Sequence, residues 1–81
     1  MRLSAVEGDP GYEPYLKLGD RCEKVRVLLE GVEHKNVLTA DTDMGFIEVY
    51  EIDDSGNIRW DRQSGEAFRK HLYGHVVIRI D

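Results

Sequence analysis

Across residues 24–30 apolar and polar side chains alternate with a period of two: Val25, Val27 and Leu29 on one side, Lys24, Arg26 and Glu30 on the other, with Leu28 the exception. That period predicts a strand with one face on a core. Gly31 and residues 33–36 read as a turn, and residues 37–40 as a short second strand. Residues 46–52 carry β-branched and aromatic side chains on both faces and predict a third strand that is covered on each side. Asp53-Asp-Ser-Gly-Asn57 is the strongest local signal, because Asp and Gly between two strand-like runs supply the positive-φ positions of a hairpin loop at low steric cost. Residues 58–61 are expected to return antiparallel. From Ser64 the period changes: Ala67, Phe68, His71 and Leu72 recur at helical spacing, Ser64 or Asp61 stands where an N-cap is wanted, and Gly74 where a helix ends. Residues 75–81 alternate again, Val76, Ile78 and Ile80 inward and His75 and Arg79 outward.

The resulting order is β-β-β-β-α-β with short loops. The expected fold is mainly β: a five-stranded antiparallel meander curling into a small, partly open SH3-like barrel, with one short helix before the last strand. A flat antiparallel sheet with the helix on one face is the alternative. Residues 1–19 hold both prolines together with Gly8, Gly11 and Gly19, and read as an N-terminal arm or tail rather than a strand or helix. Tyr12, Tyr15, Leu16 and Leu18 give that arm apolar surface to lay across the domain or a neighbour. Residues 20–81 form the single small domain.

Composition narrows the function. A chain of 81 residues hides only about 60 to 65% of its unfolded surface, so a deep walled pocket would consume much of the core. Binding on an outer surface is the easier task. No apolar run approaches the about 18 residues that span a bilayer, and residues 1–14 lack the apolar stretch of a secretory signal, so the expected compartment is the cytoplasm, with no membrane partner. Cys22 is the single cysteine, which excludes an intramolecular disulfide and agrees with a reducing compartment. The net charge is −5, unevenly placed. Asp41, Asp43, Glu48, Glu51, Asp53 and Asp54 follow one another with no Lys or Arg between them. Beyond Ser55, Arg59, Arg62, Arg69, Lys70 and Arg79 outweigh Asp61 and Glu66. Such polarity steers a partner or a second copy, or is neutralised by cross-strand ion pairs.

Asp41-Thr-Asp43-Met-Gly45 begins as some calcium loops do, but Gly is fifth rather than sixth, the twelfth position is Ile52 in place of Glu, and the flanks read as strands. The plainer reading is an acidic turn with Gly45 at a bend. Cys22, His34, His71 and His75 are the soft metal ligands. His71 and His75 have a zinc-like spacing, but Gly74 separates a helix end from a strand start there. Cys22 sits between Arg21 and Glu23, whose charges offset each other, and no nucleophile elbow, phosphate loop or dinucleotide fingerprint is present. The chain is therefore read as not an enzyme, with no cofactor and no metal. Arg59, Trp60, Arg62, Arg69, Lys70 and Tyr73 offer a basic face with aromatics for nucleic acid, against which stands the acidic balance of the whole. Trp60 is more simply the residue that plugs the core. Tyr12, Tyr15, Tyr50 and Tyr73 are of a type enriched in protein interfaces.

The run from Val25 through Trp60, followed by HLYGHVVIRI, resembles small uncharacterised proteins encoded by bacteriophages and prophages. In these a strand ending near a Gly precedes a short strand, an acidic A-D-x-x-x-G loop, an aromatic-rich strand and a hairpin. The resemblance implies a bacterial or phage origin and an accessory or assembly role, and it carries over no functional residue. The function expected is thus a non-enzymatic protein-interaction or assembly module, with a nucleic-acid-binding barrel as the alternative. Its partner is another protein or a second copy of the chain. Tyr50, Trp60, Arg62 and Tyr73 are the candidate contact residues, with Asp41 and Asp43 as a complementary acidic patch.

Overall fold

A computed structural model describes all 81 residues. In chain order the elements are β1 (Arg2–Ser4), α1 (Tyr12–Leu16), a 3₁₀ segment (Gly19–Lys24), β2 (Val25–Leu29), β3 (Val32–His34), β4 (Val37–Asp41), β5 (Phe46–Tyr50), β6 (Arg69–Tyr73) and β7 (Val76–Ile80). All ladders are antiparallel, and they form two sheets: β1-β4-β5-β6 and β3-β2-β7. The inward sides of these strands meet in one core of Val27, Leu29, Ala40, Ile47, Val49 and Val76, with Val25, Val37, Leu72 and Ile78 packed around it. Ile47 at its centre is fully buried. No helix is long and apolar enough to cross a membrane.

The period-two segments behave as their patterns predict. In β2, Val27 and Leu29 are buried while Arg26 is exposed, and Leu28 lies half-buried on the outer side. In β7, Val76 is buried and Val77 and Arg79 are exposed. β5, expected to be covered on each side, instead buries only Ile47 and Val49 and leaves Phe46, Glu48 and Tyr50 half-buried on the outer side. The Asp53 loop forms as expected: Asp53 N–H donates to Asn57 O at 2.8 Å, and Ile52 and Ile58 bridge across it.

Two glycines join the sheets. Gly74, between β6 and β7, donates its N–H to Gly45 O at 2.9 Å, and a Cβ on Gly45 would lie 2.9 Å from Gly74 O. Gly45 also has φ +70°, so a side chain there meets both backbone strain and a close carbonyl. A Cβ on Gly74 would lie 2.6 Å from Glu30 Oε1, the oxygen that accepts the His75 N–H. The β2–β3 turn, the acidic loop and the β6–β7 turn therefore meet at one corner.

Four expectations are corrected. First, the strands do not close into a small SH3-like barrel: seven strands divide between two sheets that share no ladder. Second, the expected helix after Ser64 is a tight turn followed by β6. Gly65 N–H donates to Asp61 O, Ser64 Oγ accepts the Glu66 N–H, and residues 69–73 pair with all of β5. A helix there would have buried Phe68 and Leu72 but left the whole edge of β5 unpaired, and the ladder wins. The helices stand instead before β2. Third, residues 58–61 make only isolated bridges and not a full return strand. Fourth, residues 1–19, read as an arm or tail rather than a strand or helix, contain both. β1 pairs with β4, and α1 starts behind a turn in which Asp9 Oδ1 accepts the Gly11 N–H. Pro14 falls in the first turn of α1, where a missing N–H costs nothing.

Candidate interaction surface

The outward side of the four-stranded sheet carries two cross-strand rows. Register places Ser4, Thr39, Glu48 and His71 side by side, and next to them Arg2, Asp41, Phe46 and Tyr73. Tyr50 faces Arg69 one step further along.

At the β1–β4 end this face is sealed. Ser4 and Thr39 are buried and share a hydroxyl–hydroxyl bond of 2.7 Å; Thr39 Oγ1 also donates to Glu48 Oε1 at 3.3 Å. Arg2 spans Asp9 (2.8 and 2.7 Å) and Asp41 (3.2 Å). Its two N–H bonds hold the Asp9 carboxyl down at about 2, helped by the Gly11 N–H and opposed by burial. Asp41 is likewise held below its ordinary value, foremost by the Met44 N–H, then by Arg2 and the Asp43 N–H, again against burial. The two carboxylates in return keep the Arg2 guanidinium charged. Asp41 Oδ1 accepts both the Asp43 and the Met44 N–H at 2.9 Å, so its oxygens are spent on the turn and on Arg2. The buried Asp41 is thus no part of a complementary acidic patch. Asp43 stays exposed and meets the Met1 amino group at 2.8 Å.

Toward β6 the same face opens. The Arg2 guanidinium lies 5.1 Å over the Phe46 ring, whose other neighbours are His71 at 5.4 Å and Tyr73 at 6.3 Å. His71 Nε2 lies 4.0 Å from Glu48 Oε2. Tyr73 is 75% exposed.

Beside this face, residues 51–68 leave the core and return to it. Three backbone bonds close a ring at their base: Glu51 N–H to Phe68 O, Arg59 N–H to Glu51 O and Phe68 N–H to Arg59 O, each 2.9 Å. Two loops spring from that ring. Asp53 Oδ1 holds the first by accepting the Ser55 and Asn57 N–H groups, and Asp61 Oδ1 holds the second through the Gln63 N–H. None of these residues is buried, and Ile52, Trp60 and Phe68 are exposed apolar side chains among them.

Of the four expected contact residues, Tyr50 and Tyr73 share the sheet face with Phe46. Trp60 and Arg62 stand off it, on the second loop. Trp60 bridges Ala67 and is 61% exposed, so it does not plug the core. It is excluded because the chain turns away at Glu51 before Trp60 can reach the sheet interior. Phe46, His71 and Arg2 join this face without being among the contact residues that the sequence suggests. The aromatic side chains of residues 46–52 signal Phe46, whereas nothing local signals Arg2, which acts through a carboxylate 39 residues away.

A second cluster adjoins the Tyr50 end of this sheet, where His34 and Lys35 also lie beside Tyr50, Ile52 and Lys70. Tyr15, Cys22, His34 and Lys35 line an open crevice of about 290 Å³. Burial raises the Tyr15 hydroxyl above its ordinary value, with a further push from the neighbouring Cys22 thiol. No protein family, curated protein or solved structure matches the chain.

Proposed function

We propose that this is a non-enzymatic protein-interaction module that engages its partner through the open part of the β5–β6 face and the adjoining loops of residues 51–68. The observation that carries this reading is where the exposed aromatic side chains lie. Trp60, Phe68 and Tyr73 are all on β6 or on those loops, with the exposed Ile52 among them and the half-buried Phe46 and Tyr50 on the neighbouring strand. Aromatic anchors flanked by Arg59, Arg62 and Arg69 have the composition of a protein-binding hot spot. The likeness to phage-encoded proteins adds an accessory or assembly role to this reading. In the test, immobilised wild type and a Trp60→Ala/Tyr73→Ala variant are offered host lysate. A protein retained by the first and lost by the second supports the proposal, and equal retention by both refutes it.

One arrangement favours a second reading, binding of single-stranded nucleic acid. Tyr50 stands opposite Arg69, so a stacking surface and a cation lie together. It predicts binding to single-stranded DNA or RNA that quenches Trp60 fluorescence and weakens as salt rises. No quenching at low salt removes it.

A further inference from the structure

Two open sheets leave four strand edges, each with unpaired N–H and C=O groups that another strand can engage. Three are guarded. The returning chain takes part of the β1 edge, where Ser4 N–H donates to Gly11 O at 3.0 Å. β3 is only three residues long and contains Glu33. β6 carries Arg69 and Lys70, and Lys70 falls on the same side as Leu72, toward the interior, where an added sheet would have to desolvate its charge. β7, Val76-Val-Ile-Arg-Ile80, has no proline, glycine, bulge or inward charge.

The β2–β7 ladder shows which β7 groups are free. Glu30 N–H donates to His75 O and Asp81 N–H to Lys24 O, so the odd-numbered residues bond to β2. Val76, Ile78 and Ile80 therefore direct their N–H and C=O groups away from the sheet. Ile78 and Ile80 are also only half-buried, although both turn toward the core side.

We infer that β7 pairs antiparallel with β7 of a second copy of this chain, in register about Ile78, joining two three-stranded sheets into one of six strands. Ile78 then faces Ile78 of the copy, Val76 faces Ile80, Val77 faces Arg79, and His75 faces Asp81. By symmetry the imidazole–carboxylate pair occurs twice, and no like charges oppose. Other registers are worse. Sliding two residues one way sets Arg79 against Arg79 of the copy; sliding the other way sets it against His75. The interface lies on the other sheet from the aromatic face, and it stands or falls apart from the function proposed above.

Val77 is exposed and would face Arg79 of the copy, so substitutions there change the interface and spare the core. Sedimentation equilibrium over a range of concentrations reads the result. The wild type is expected to shift from a 9.3 kDa monomer toward twice that mass as concentration rises. Val77→Lys should raise the dimer dissociation constant about tenfold, and Val77→Glu should lower it about threefold, because cross-strand charge pairs of these sizes act in both halves of the interface. A wild type that stays monomeric up to about 1 mM overturns the inference. So does a dimer whose dissociation constant moves the same way, or not at all, with the two substitutions.

Discussion

Two hairpins of this protein use the same turn chemistry to opposite ends. In the β4–β5 hairpin, Asp41 accepts two loop N–H groups, and the strands on either side bury Thr39, Ala40, Ile47 and Val49. In residues 51–68, Asp53 and Asp61 hold their loops in the same manner, yet no residue is buried. The turn residues are interchangeable in kind. What separates a structural hairpin from a displayed one is whether its flanks alternate against a second sheet. The first hairpin is held by burial and the second by local hydrogen bonds, which leaves Trp60, Ile52 and Phe68 facing solvent on a frame that does not need them for the core.

That contrast is broken most directly at the core. Ile47→Ala should cost about 3 to 4 kcal/mol in urea denaturation, because the side chain is fully buried among residues of both sheets. Trp60→Ala should change stability by less than about 0.5 kcal/mol under the same conditions. A large loss at Trp60 would mean that the displayed loops are part of the core after all.

Next in size is Gly45→Ala, expected to cost about 2 to 3 kcal/mol from positive φ and the approach to Gly74 O. Its thermal unfolding should remain a single transition, since both sheets depend on that corner. Arg2→Ala should cost about 2 kcal/mol at neutral pH by leaving Asp9 and Asp41 without their shared guanidinium. Asp9 has a folded value of about 2, below its ordinary 3.8, and Asp41 is lowered in the same direction. Their contribution is therefore complete above about pH 4 and is lost as pH falls toward 2. The gap between wild type and Arg2→Ala should close over that window in acid titrations of stability. A gap that persists at pH 2 would assign Arg2's role to packing on Phe46 instead.

The smallest effect is expected on the displayed side. Asp53→Ala removes two loop hydrogen bonds and should cost at most about 1 kcal/mol, with resonance shifts in NMR spectra confined to residues near the loop. Spread of those shifts to Ile47 and Val49 would couple the two hairpins.

Much of this division was legible in the chain. The alternation of residues 25–29 and 76–80 assigns inner and outer faces residue by residue, and Asp53 to Asn57 marks its own loop, whereas apolar and aromatic side chains on both faces of residues 46–50 hide which face is inner. The rest depends on partners far away in sequence. Arg2, Leu3 and Ser4 are too few to announce a strand, and they become one because β4 offers an edge 35 residues later. Residues 67–72 follow a helical period; the unpaired edge of β5 overrides it. Trp60 has the composition of a core residue. Only the ring of bonds joining Glu51, Arg59 and Phe68 shows that it is carried past the core.

Amide hydrogen exchange under native conditions tests the contrast at its root. The amides of Arg59 and Phe68 should exchange by local opening, about a hundredfold or more faster than those of β5, which exchange only on global unfolding. Equal protection in both regions, falling together as urea is added, would contradict a displayed surface standing apart from a cooperative core.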